Sequence, residues 1–135
     1  MKIFDCFQYF DEDMMLDLRL HVLDQYVDKF VIVENLYMHS GKKKSKNFDI
    51  KKFLKFEDKI KYILIDELPK NLVALDDLNG SIRTNTLIDN TLKIEHNQRN
   101  KILDGLNDAD KNDLILISDV DEIPKLKNIK YKIKN

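Results

Sequence analysis

An α/β domain built on a mainly parallel sheet is the fold the sequence predicts, and three observations carry it. Apolar runs and amphipathic segments follow one another as strand, helix, strand, helix, strand, helix, strand. Residues 30–33 (Phe-Val-Ile-Val) and 114–117 (Leu-Ile-Leu-Ile) are continuous apolar runs, as strands buried on both faces are. Only three Gly and two Pro occur in 135 residues, too few for an all-β hairpin architecture. Such a sheet carries helices on both faces, and its ligands sit at the carboxyl ends of the strands, near the switch in strand order.

Each element has its own justification. Residues 3–10 are aromatic-rich and apolar and predict the first strand. The acids Asp11, Glu12 and Asp13 suit a helix N-terminus, and a helix with a broad buried face is expected over 14–23. The second strand is 30–33, ended by Glu34 and Asn35. Residues 36–47, with Gly41 and a Lys cluster, read as a loop. A short helix is expected over 48–56, anchored by Phe48, Phe53 and Phe56. The third strand is 60–65. Residues 66–84 lack periodicity and read as a long loop, a kind that is commonly functional. The longest helix is expected over 85–106, with Ile88, Leu92, Ile102, Leu103 and Leu106 as its buried stripe. The fourth strand, 114–117, runs into Ser118-Asp-Val-Asp-Glu-Ile-Pro124. Residues 1–124 form the expected domain, and 125–135 a Lys-rich tail without a core of its own.

Composition narrows the function. Hydrophobic residues make up 43% and charged residues 35%, which fits a globular domain and not a disordered chain. Lys+Arg (23) nearly balances Asp+Glu (24), so no nucleic-acid partner is indicated. A lone cysteine, Cys6, excludes an internal disulfide and a zinc site of Cys pairs, and reads as a buried hydrophobe. No apolar run approaches the roughly 18–20 residues a membrane span needs, and the N-terminus meets charge too early for a signal peptide. A cytoplasmic location is the expectation. His21, His39 and His96 show no ligand spacing, and no Gly-rich phosphate loop is present.

The strand ends supply the chemical candidates: Gln8 and Tyr9, Glu34 and Asn35, Asp66 and Glu67, and the acids of 119–122. The sharpest is Asp119-Val-Asp121. A buried strand delivers two carboxylates that share one side if the chain stays extended. Their repulsion is relieved by a divalent cation, and oxygen ligands suit Mg²⁺ or Mn²⁺ completed by water and phosphate oxygens. The bland reading is a charged turn after a core strand. Glu95 and Arg99, four apart, either neutralise each other at the core edge or bring Arg99 to a nucleotide. Glu34 at its strand end either accepts from a ribose or base or faces water. The Lys42–Lys46 run reads as a solvated charge cluster, with an anion site as its sharper alternative.

A resemblance joins these pieces. Asp5-Cys-Phe-Gln-Tyr-Phe-Asp-Glu12, Leu16-Asp-Leu-Arg-Leu20 and Val27-Asp-Lys-Phe-Val-Ile-Val-Glu34 resemble the opening of the family 17 glycosyltransferases, relatives of β-1,4-mannosyl-glycoprotein β-1,4-N-acetylglucosaminyltransferase. Gln98-Arg-Asn100 and Ser118-Asp-Val-Asp-Glu-Ile-Pro124 are similar to later blocks of that family. Met14, where the family carries an acid, and Lys in place of Pro after Gly41 depart from the pattern. The resemblance implies a glycosyltransferase A-type, Rossmann-like fold, a nucleotide-sugar donor such as UDP-N-acetylglucosamine, and a glycan acceptor. It implies metal at the Asp119-Val-Asp121 motif; combined with the strand-end and helix readings, the expectation is donor contacts from Gln8, Glu34, Arg99 and Asp119, and supporting roles for Glu95 and Glu122. By the same resemblance the chain is C-terminally truncated, a donor-binding half expected to pack onto an acceptor-binding part that carries the base. No catalytic base is therefore assigned. An Asp-x-Asp phosphohydrolase, with Asp119 as nucleophile and Asp121 as acid/base, and a non-catalytic nucleotide- or metal-binding remnant are the alternatives.

Overall fold

The structure, a computed structural model, describes residues 1–129. Four strands, β1 (Ile3–Tyr9), β2 (Lys29–Asn35), β3 (Ile60–Ile65) and β4 (Leu114–Ile117), pair in the order β3-β2-β1-β4, every pair parallel. Two helices, α1 (Asp13–Leu23) and α2 (Gly80–Asn100), and two 3-10 helices, Ile50–Phe56 and Lys101–Gly105, complete the element order. The chain builds β1, β2 and β3 outward in one direction, then returns to place β4 on the other side of β1. The switch in strand order therefore lies between β1 and β4, where a crevice opens beyond the strand ends.

Alternation along the strands makes two cores. On one face Ile3, Phe7, Phe30 and Ile32 pack with Leu16, Leu20 and Leu23 of α1 and with Phe48, Phe53 and Phe56. On the other, Phe4, Cys6, Val31 and Val33 pack with Ile65 and Ile102. The three anchoring phenylalanines are buried as expected, but their helix is a 3-10 segment, and Phe53 leaves helical geometry at φ −130°. Phe48 lies 4.4 Å from Tyr62, ring centroid to centroid, in a stacked pair. Cys6 is buried, and burial pushes its thiol up to about 12, consistent with an inert core residue.

The longest helix corrects the sequence expectation in extent and in face. It starts at Gly80, inside the stretch read as loop, because Asn79 takes an extended N-cap conformation. It tightens to a 3-10 helix after Asn100, which buries Ile102. The expected stripe is largely outside: Ile88, Leu92 and Leu103 are 55%, 44% and 68% exposed. The inward face is Asn90, Ile94 and Gln98. Asn90 exchanges hydrogen bonds with both backbone groups of Val73 (3.0 and 2.7 Å), and Gln98 Nε2 donates to the Val33 carbonyl (3.3 Å). These polar side chains satisfy backbone groups that burial would otherwise strand, which is how a polar face is packed inward.

The Lys-rich segment after Pro124 begins against the domain. Leu126 is buried in the α1-side core and Ile129 packs on it. Residues 130–135 of that segment lie outside the described residues. No helix among the described residues is long and apolar enough to cross a membrane.

Candidate active site at the strand-order switch

A cavity of about 690 Å³ opens at the carboxyl ends of the strands. Its lining comes from five places: the end of β1, Glu12 before α1, the segment 35–40 after β2, one face of α2, and the turn after β4. That volume is within the usual range for small-ligand sites.

The acidic turn is built tightly. β4 ends at Ile117, where Ser118 N–H still donates to the Cys6 carbonyl (3.3 Å). The chain then turns instead of staying extended: Glu122 N–H donates to the Asp119 carbonyl (3.0 Å) and Ile123 N–H to that of Asp121 (3.1 Å). Extended alternation thus does not set the relation of Asp119 to Asp121; a turn pinned by the buried Val120 does, and both aspartates line the cavity. Glu122 is outside the lining and serves the turn, its Oε2 accepting from Asp119 N–H at 3.0 Å.

Arg99, on α2, reaches the same place. Its Nη2 lies 3.4 Å from Glu95 Oε1 and 3.6 Å from Asp119 Oδ1. The pair Glu95–Arg99 therefore forms part of the cavity wall, half open to solvent, and is not a plug at the core edge. Gln8 lines the cavity as well. Of the expected site residues, the structure brings together Gln8, Glu95, Arg99, Asp119 and Asp121.

Glu34 is not among them. Strand parity puts it on the α1 face, opposite its neighbour Asn35. Its carboxylate is buried and accepts from Lys44 Nζ (2.6 Å), Asn47 N–H (2.7 Å), Phe48 N–H (3.0 Å) and Tyr62 OH (2.7 Å). Burial by itself would raise this carboxyl, but the four donors outweigh it and hold it below the usual carboxylate range. Its work is to fasten the loop 44–48 to the sheet.

Asn35, the strand-end neighbour, lines the cavity instead. Its Oδ1 accepts from Tyr37 N–H (2.9 Å), and its buried Nδ2 has no partner among the described residues. The sequence also left Glu12, Tyr37, Met38, His39 and Ser40 unassigned, and all five line the cavity. Gly41, at φ +83°, lets the chain reverse after Ser40, and the turn closes by Gly41 N–H to the Met38 carbonyl (2.8 Å). After that reversal Lys43 lies over the Tyr37 ring, Lys44 binds Glu34 and lies over the Phe10 ring, and Lys46 lies over Tyr62. Among the described residues no lysine lines the cavity.

Tyr9 also contributes to the wall. Burial and its hydrogen bond to the Asp13 carboxylate push its hydroxyl up, so it stays neutral. Among the described residues no group of three or more His, Cys, Asp or Glu side chains is placed to hold a metal. The two carboxylates of the turn, both exposed to the cavity, fit a hard cation only where ligand oxygens and water complete its shell.

A parallel sheet with order β3-β2-β1-β4, helices on both faces and a cavity at its switch point defines an α/β domain of the glycosyltransferase A, Rossmann-like class. The model of glycosyltransferase family 17 matches residues 1–133, and the chain belongs to that family. Membership makes it a glycosyltransferase domain, working on a sugar donor and an acceptor. Neither a curated protein nor a solved structure matches the chain.

Proposed function

We propose that the cavity binds a nucleotide-diphosphate sugar, with UDP-N-acetylglucosamine as its donor, for transfer of the sugar to a glycan hydroxyl. The observation that carries the reading is the opening of the Asp119–Asp121 turn into the same cavity as Gln8, Asn35 and Arg99. Asp119 and Asp121 are the residues that would hold Mn²⁺ or Mg²⁺. When bound there, the cation supplies neutralisation of the charge on the leaving diphosphate. Arg99 supplies a fixed positive charge beside Asp119 and is placed for a phosphate or ribose oxygen. Glu95 holds the Arg99 guanidinium against the wall, and Glu122 holds the backbone of Asp119. The unpartnered Nδ2 of Asn35 is a donor for a carbonyl oxygen, which a uracil or an acetamido group carries. Tyr37 and Phe10 add flat apolar surface for a base or sugar face.

Calorimetric titration of UDP with and without Mn²⁺ tests the reading. Tighter binding with Mn²⁺, lost in Asp121→Ala, is the expected result. In Arg99→Ala the affinity should fall by ~1–3 kcal/mol, the scale of a hydrogen bond to a charged group. Equal UDP affinity in both conditions would contradict the metal role. Unchanged affinity in Arg99→Ala, with a lowered melting temperature, would return that residue to a structural role.

A further inference from the structure

Arg19 is an arginine on α1 whose side chain is fully buried. Its Nε and Nη2 grip both oxygens of Asp5 on β1, at 2.8 and 2.7 Å. Nη2 also donates to Ser118 Oγ (2.7 Å). Nη1 donates to three backbone carbonyls of one turn: Asp119 (2.7 Å), Val120 (3.1 Å) and Glu122 (3.1 Å). The ring of Phe7 lies 4.6 Å from the guanidinium carbon and closes its face.

A buried guanidinium is costly unless every donor is met. Asp5 meets the charge and two donors. The remaining donors are all spent on the segment 118–122, where carbonyl dipoles brought to one point repel unless a cation sits among them. We propose that Arg19 is the positioning residue of the acidic turn: seated on Asp5, it gathers the carbonyls of 119, 120 and 122 and so presents the Asp119 and Asp121 carboxylates to the cavity. Lysine cannot substitute, because a point charge with three rotating donors lacks the planar fork that serves Asp5 and the turn together. For its binding readout the inference rests on the metal–diphosphate reading above; for its structural readout it does not.

The test is Arg19→Lys, which leaves Asp5 a cation. Backbone hydrogen exchange is followed at Asp119, Glu122 and Ile123, whose N–H groups close the turn, and at the β1–β2 ladder as control. UDP affinity is measured with Mn²⁺. The expected result is faster exchange at the turn with the ladder unchanged, and an affinity loss of about 10–100-fold, the usual effect of removing a group that orients metal ligands. A lowered melting temperature with turn exchange and affinity unchanged would overturn the proposal and leave Arg19 a core ion pair. If the natural chain binds UDP no better with Mn²⁺, the metal reading fails, and turn exchange alone decides: faster supports the positioning role, unchanged overturns it. Should Arg19→Lys not fold, Ser118→Ala removes the guanidinium's hydroxyl partner, together with that hydroxyl's own bond to the Glu122 carbonyl (3.2 Å), without stranding a charge. A smaller change of the same kind is then expected, and none would overturn the role.

Discussion

Glu34 shows how one residue's parity separates structure from catalysis. Four donors converge on a carboxylate with no exposure, so its ionised form is built into the fold. Glu34→Gln keeps the shape but offers one oxygen where two were used, and a loss of ~2 kcal/mol at pH 7 is expected. The sign of the pH dependence follows from the lowered carboxyl. The stabilisation is fully present above the unfolded value of about 4.3 and is lost as pH falls through the lower folded value. Urea denaturation of both proteins from pH 7 to pH 3 should therefore show the gap closing at the acid end. A gap constant across that range would mean that ionisation of Glu34 contributes nothing. Asn35, one position on, faces the opposite way and keeps a free donor beside the cavity.

At the scale of elements, α2 divides into two halves with different tasks. The first, from Gly80, is mostly exposed, Ile82 and Ile88 included, until Asn90 ties it to Val73. The second buries Ile94, ties Gln98 to the Val33 carbonyl of β2, and turns Glu95 and Arg99 to the cavity. Ile94 is 1% exposed, and Ile94→Ala should cost ~2–4 kcal/mol as a large-to-small core change. Ile88→Ser should stay within about 0.5 kcal/mol, the range of ordinary surface changes. Thermal or urea melts of the two variants decide the point. Comparable losses would place the outer stripe in contact with the body of the domain after all.

At the scale of the molecule, the two cores are joined through a thin sheet, and the approach of one connection is limited by a missing side chain. A methyl at Gly105 would overlap Val31 Cγ1 and come within 3.2 Å of Ile63 Cδ1, both on the sheet. Gly105→Ala should destabilise by ~1–3 kcal/mol, the cost of overpacking. Val31→Ala made in the same chain should recover part of that loss, because the two sites share one space. Additive losses in a double-mutant cycle would show that the connection moves aside instead. The segment 101–105 follows directly on α2, so its seating also holds the end of the helix from which Arg99 reaches Asp119.

Within the chain itself, apolar runs determined the strands: 60–65 and 114–117 were legible to the residue, because β-branched, aromatic and aliphatic side chains fit a pleated, half-buried surface. Burial on both faces was not: β4 is an edge strand, only partly buried, with Ile117 54% exposed, while the expected burial holds for β2 at the centre. The acidic turn was legible as a candidate from its place after an apolar strand, and the structure opens it into the cavity. Tertiary structure decided the rest. Period two assigned Glu34 to the loop anchor and Asn35 to the cavity, a choice that depends on which face each helix covers. Hydrogen bonds to Val73 and Val33 turned a polar face of α2 inward and left Ile88 and Leu92 outside, against hydrophobic periodicity. The Gly41 reversal, which brings Tyr37 to Ser40 into the wall, left no periodic signal. Arg19 carried no signal beyond its place in the Leu16–Leu20 block: its partners on β1 and on the turn after β4 lie 14 and about 100 positions away, a relation that exists only once β4 pairs beside β1.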